Sequence, residues 1–151
     1  MKINRLIIPI LFFSLGISAQ EKSNDLELIT ETIENYFYGY VERDGDRLHK
    51  AFDLDNGAMK LARKADDGTQ YVANIPFKDL VPNWANKEKL SEAELKDCAL
   101  KILSVDAVDG KIASAKISMK VGETTYIDIL SMHKLSDQWK IVNKIFVVAN
   151  N

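Results

Sequence analysis

DILSMHKLSDQWKIVNKIFVV, residues 128–148, alternates apolar and polar side chains on either side of Ser136-Asp137. Alternation of period two marks strands, and a short polar break between two such runs marks a hairpin. A two-residue tip at Ser136 and Asp137 sets Met132 opposite Ile141, Leu130 opposite Asn143 and Asp128 opposite Ile145, and opposed residues share a face. One face then holds Tyr126, Asp128, Leu130, Met132, Trp139, Ile141, Asn143, Ile145 and Val147. The other holds Ile127, Ile129, Ser131, His133, Lys140, Val142, Lys144 and Phe146. The first face is apolar and is expected to look toward the core, which leaves His133 outside as a surface residue. A one-residue slip would exchange the faces, but it would also bury Lys140 and Lys144.

Working back along the chain, Gly122-Glu123 is a second turn, and its strand from Lys111 to Val121 adds Met119, Ile117, Ala115 and Ala113 to the apolar face. Asp109-Gly110 ends a further strand from about Ala99. Ser91 and Glu94 form a capping box for a short helix to Lys96. Residues 76–84 read as a helix presenting Phe77, Leu80 or Val81, and Trp84, with Pro76 at its first position and Pro82 limiting it. Two strands joined near Asp67-Gly68 precede it. Before them lie a short helix from Asp46 to Phe52, capped by Asp44 or Asp46, and a longer one from Asp25 to Val41. Leu26, Ile29, Ile33, Phe37 and Tyr40 stripe that longer helix, with Tyr36 at the stripe's edge. Helices gathered before and between antiparallel strands predict an α+β fold: a cone-shaped, curved antiparallel sheet of about six strands packed on about three helices.

The N-terminus has Lys2 and Arg5, an apolar run from Leu6 to Ile17, then Ser18 and Ala19. This pattern predicts a cleavable signal peptide over residues 1–19, and a secreted or periplasmic single domain over 20–151. The run is too short for a membrane span. Removal of the leader leaves 18 basic against 22 acidic residues, mixed along the chain, so nucleic acid is not an expected partner. Cys98 is the single cysteine, which excludes an internal disulfide. His49, His133 and Cys98 have no metal-ligand spacing, so neither a metal nor another cofactor is expected.

Asp128 and Asn143 stand out on the apolar face, within reach of tyrosines on the first helix. A carboxylate there needs partners, because an unpaired buried charge costs several kcal/mol. Two readings stand. The pair is either a satisfied core network or the polar spot of a small-ligand pocket. Tyr36, Tyr40, Asp53, Trp84, Asp128 and Asn143 are the candidate ligand-binding residues, with Trp84 placed to reach a cavity mouth.

YFYGYVERDGDRLHKAFDLD, residues 36–55, and YIDILSMHKLSDQWKIVNKIF, residues 126–146, resemble the putative lumazine-binding family of the nuclear transport factor 2-like superfamily. The resemblance implies a cone-shaped α+β barrel, a hydrophobic pocket between sheet and helices, and frequent dimers through the sheet. Relatives often carry a histidine where this chain has Asp53, so no role of that histidine transfers. The superfamily includes enzymes and binding modules alike, so function has to come from the site. The expectation is a non-catalytic module that binds a small apolar or aromatic molecule or forms a homodimer through the outer face, where Ile127, Ile129, Val142 and Phe146 are apolar. The alternative is an acid–base isomerase or hydratase for a small carbonyl compound, with Asp53 or Asp128 as base and Tyr36 or Tyr40 as oxyanion donor.

Overall fold

The computed structural model describes residues 15–149. The leader read over residues 1–19 lies outside the described residues up to position 14; positions 15–19 belong to the first helix. Four helices and six strands follow in the order α1 (Leu15–Glu42), α2 (Gly45–Ala51), β1 (Ala58–Lys64), β2 (Gln70–Pro76), α3 (Phe77–Ala85), α4 (Glu92–Asp97), β3 (Ala99–Val108), β4 (Ile112–Val121), β5 (Thr124–Leu135) and β6 (Gln138–Val148). The expected α+β architecture is present, with four helices where about three were predicted. None of these helices is long and apolar enough to cross a membrane.

Local chemistry accounts for most boundaries. The Asp44 side chain caps α2 by accepting from the Arg47 N–H, which satisfies a donor left open at a helix start. Ser91 and Glu94 form the expected capping box on α4. Pro76 sits one residue earlier than expected, as the cap before α3, and Pro82 is carried within that helix. At the β5–β6 tip both Ser136 and Asp137 adopt positive φ, 47° and 64°. That is the conformation whose twist matches a two-residue hairpin.

The six strands form one sheet in the order β2-β1-β6-β5-β4-β3. Its inner face buries Ala113, Ala115, Ile117, Met119, Leu130, Met132, Trp139 and Ile141 against Ile29, Ile33, Phe37 and Val41 of α1 and Leu48 and Ala51 of α2. The helical stripe is rotated from the expected one: Leu26 is largely exposed, whereas Tyr36 lies in the core and Tyr40 is half-buried. The middle of α1 is tied to the sheet by a buried carboxylate. Asp25 accepts from Lys134 Nζ at 2.9 Å and from Trp139 Nε1 at 3.3 Å.

The register of β5 and β6 follows the predicted pairs only from the tip to Met132–Ile141. Beyond them Ser131 pairs with Asn143, Leu130 with Lys144 and Asp128 with Phe146. Val142 is therefore an extra residue, a β-bulge, and every later side chain of β6 changes face. Lys144 and Phe146 point inward; Ile145 and Val147 are exposed outside. The bulge is bracketed by a change of neighbour: Phe52 bridges to Ile141, and Ala58 and Met59 of β1 pair in parallel with Asn143 and Lys144.

Magnitudes show why the bulge prevails. An unbroken register would leave Asp128 buried without a cation, a penalty of about 3–5 kcal/mol. Turning Ile145 and Val147 outward forfeits only part of the roughly 1.5–3 kcal/mol that full burial of each would give, and Phe146 goes inward in exchange.

Candidate functional site

Asp128 on β5 is fully buried, and two neighbours converge on its Oδ2. The Tyr36 hydroxyl of α1 donates to it at 2.9 Å, and Lys144 Nζ of β6 lies 2.5 Å away. Lys144 is itself buried, so its charge is compensated by Asp128 rather than by bulk water. Asp128 Oδ1 has no hydrogen-bond partner among the described residues. Burial pushes the Lys144 ammonium below the usual lysine range, and the adjacent carboxylate only partly restores it. Burial, followed by the negative charge of Asp128 and the hydrogen bond to it, raises the Tyr36 phenol well above its ordinary value.

These groups border a cavity of about 150 Å³ lined by Tyr36, Tyr40, Met59, Trp84, Met119, Tyr126, Lys144 and Phe146. Tyr36, Met59, Trp84, Met119 and Lys144 are buried, whereas Tyr40, Tyr126 and Phe146 are partly exposed and form the rim. The wall is an aromatic network. Trp84 stacks with Tyr36 at 6.1 Å between centroids and meets Tyr40 edge-on at 5.5 Å; Tyr126 meets Phe146 at 5.8 Å. Lys144 Nζ stands 4.7 Å from the Phe146 ring centroid and 5.4 Å from that of Tyr36, within cation–π range. A larger hollow of about 410 Å³ beside Arg63, Lys64, Tyr71 and Val72 lies against exposed strand residues.

The structure brings four of the six sequence candidates together: Tyr36, Tyr40 and Trp84 on the cavity wall, and Asp128 behind it. Asp53 is not part of the site. Its carboxylate accepts from the Asp55 and Asn56 backbone N–H groups and shapes the turn after α2. Asn143 is displaced by the bulge. It pairs with Ala58, is half-buried, leaves its Oδ1 unpartnered among the described residues, and does not line the cavity. Lys144, which takes the place read for Asn143, was placed on the outer face by strict alternation. A signal for it was present: a buried Asp128 demands a cation, and Lys144 is one residue from the assumed partner. Phe146 was lost to the same shift. His133 is exposed, as expected, and pairs with Lys140; His49 is exposed as well.

Residues 24–147 match the model of the family described as "Putative lumazine-binding". The chain belongs to this family. No curated protein matches it. Among solved structures, the chain is similar to a nuclear transport factor 2-like protein of unknown function from Shewanella baltica OS155, with 20% identity and a TM-score of 0.67 over 85% of this chain and 97% of that one. A similar protein of unknown function from Methylobacillus flagellatus KT shares 22% identity at a TM-score of 0.64, covering 84% and 94% of the two chains. A cystatin-like fold protein from Burkholderia xenovorans LB400 shares 14% at 0.59, covering 85% and 96%. These likenesses establish the nuclear transport factor 2-like fold that the sequence resemblance implied. The chemistry remains a matter of this chain's own residues.

Proposed function

We propose that the chain is an exported, non-catalytic domain that holds one small, flat, mainly apolar molecule in the cavity beside Lys144. The carrying observation is the lining itself: five aromatic rings and two methionines around a single buried ammonium group. Rings offer stacking faces, and a lone polar group in an apolar wall fixes orientation. A hydrogen-bond acceptor on the ligand would meet Lys144, whose three donors are not exhausted by one carboxylate oxygen. At about 150 Å³ the cavity is below the ~300 Å³ lower end of drug-sized sites, which favours a one- or two-ring heterocycle. The family's description, which mentions lumazine, is consistent with a ligand of that shape.

The acid–base alternative finds less support. Asp128 is fully buried and does not line the cavity, and the Tyr36 proton is already donated to it. Neither is free to serve a substrate as base or oxyanion donor. Titration of lumazine and other small heteroaromatics, followed by tryptophan fluorescence, tests the binding reading. Saturable quenching is expected that disappears in Trp84→Phe and persists in Trp139→Phe, because only Trp84 borders the cavity. Absence of saturable quenching by every compound would remove the proposal.

The bulge also supports a homodimer through the outer face. It sets Ile145 and Val147 beside Ile129 and Ile127, giving a four-residue apolar cluster in which Ile129, Ile145 and Val147 are 46%, 41% and 62% exposed. The apolar outer residues are therefore not all those first expected: Phe146 lies inside, and Ile145 and Val147 are exposed outside. Sedimentation at micromolar concentration should show a dimer that Ile129→Lys converts to a monomer; a monomeric wild type would end the idea. Export is tested by whether the mature chain recovered from outside the cytoplasm begins after Ala19.

A further inference from the structure

We propose that Lys144 is a covalent capture site, its amine condensing with a small aromatic aldehyde to form an imine inside the cavity. The inference rests on the pocket reading above and extends it from ligand shape to ligand chemistry. Three features combine at one atom. Lys144 lines the cavity, so a bound carbonyl carbon can approach its side chain. The aromatic rings of Tyr36, Trp84 and Phe146 provide stacking faces for an aryl group. Asp128 Oδ2, 2.5 Å from Nζ and held by the Tyr36 hydroxyl, is placed to take a proton from the ammonium and to return it.

The step balances with these groups alone. Proton transfer from Nζ to Oδ2 turns an oppositely charged pair into a neutral one, which lowers the charge held in an apolar site. The nitrogen lone pair then forms a bond to the carbonyl carbon, the carbonyl π pair moves to oxygen, and a proton passes from nitrogen to that oxygen to give a carbinolamine. Asp128 returns its proton to the nitrogen, the nitrogen passes one to the hydroxyl, the C–O bond breaks and water leaves. The product iminium carries the positive charge that the ammonium began with, and it faces the same carboxylate. Burial, which holds the amine below the ordinary lysine range, increases the share of the nucleophilic free base.

Benzaldehyde with cyanoborohydride, followed by peptide mapping of the whole chain, is the test. The stable benzylamine adduct should concentrate on Lys144, several-fold above any exposed lysine, and be outcompeted by an excess of benzyl alcohol. Labelling of Lys144 no faster than of exposed lysines overturns the proposal. Benzyl alcohol separates the two readings. If it quenches Trp84 while Lys144 stays unlabelled, capture fails and the pocket stands. If neither compound engages the cavity, both fail. The double variant Lys144→Met, Asp128→Asn, which removes both charges together, should keep the circular dichroism of the fold while losing the label at this position.

Discussion

The two halves of β6 differ more than any other pair of regions in the molecule. From Gln138 to Ile141 the strand follows strict alternation, and Trp139 and Ile141 pack into a closed, apolar end of the cone. From Asn143 onward the same strand delivers a lysine to a buried carboxylate and a phenylalanine to the rim of a cavity. One extra residue, Val142, separates them. In the first half the inward side chains pack into the core, and the Trp139 indole donates to Asp25. The second contains groups that would be costly without one another, and the space beside them is unfilled.

Deleting Val142 should break the contrast most completely. Continuous alternation would turn Lys144 outward and leave Asp128 uncompensated, so urea denaturation should show a loss of about 3–5 kcal/mol or more. A deletion variant as stable as the parent would mean that the bulge is not held by the ion pair.

Asp128→Ala isolates the charge from the backbone. It strands Lys144 in the apolar wall and is expected to cost about 3–5 kcal/mol, whereas the double variant Asp128→Leu, Lys144→Met should recover most of that, because removing both charges leaves no unpaired group. Equal instability of the single and double variants would show that shape rather than charge governs this half. At the closed end, Ile141→Ala should cost about 2–5 kcal/mol through the void it leaves. Phe146→Ala should cost less, since that ring is partly exposed beside space that is already open.

The smallest effect concerns Tyr36. Its phenol is raised above the unfolded value, so the folded state holds the proton more tightly. The stability it contributes is present below about pH 10 and is lost as pH climbs through its higher folded value. Tyr36→Phe should therefore be less stable by about 1.5–3 kcal/mol at neutral pH, the range for a hydrogen bond to a charged group. The gap should narrow in denaturation curves taken above pH 10. A gap that widens there would reverse the assignment.

Local signals were sufficient for much of the chain. Asp44, Ser91 with Glu94, Asp109-Gly110 and Ser136-Asp137 act over two to four residues, and each produced the cap or turn its chemistry demands. Tyr36, Tyr40, Trp84 and Asp128 were identifiable because a carboxylate on an apolar face, and aromatics on helices that must cover it, are constrained wherever the chain runs. Asp53 was misread because an aspartate closing its own turn looks in sequence like one aimed at a pocket; its partners lie only two and three residues ahead.

By itself, then, the sequence determined the order of elements, the apolar side of the sheet and the presence of a buried acid on it. Periodicity and capping are short-range properties written residue by residue. The identity of the cation beside that acid, the rim of the cavity and the composition of the outer face were decided only by tertiary structure. A bulge is a compromise between β5, which adjoins β6 in the chain, and β1 with the end of α2, which lie far earlier, and the electrostatic demand of Asp128 could be met only once they stood together around β6.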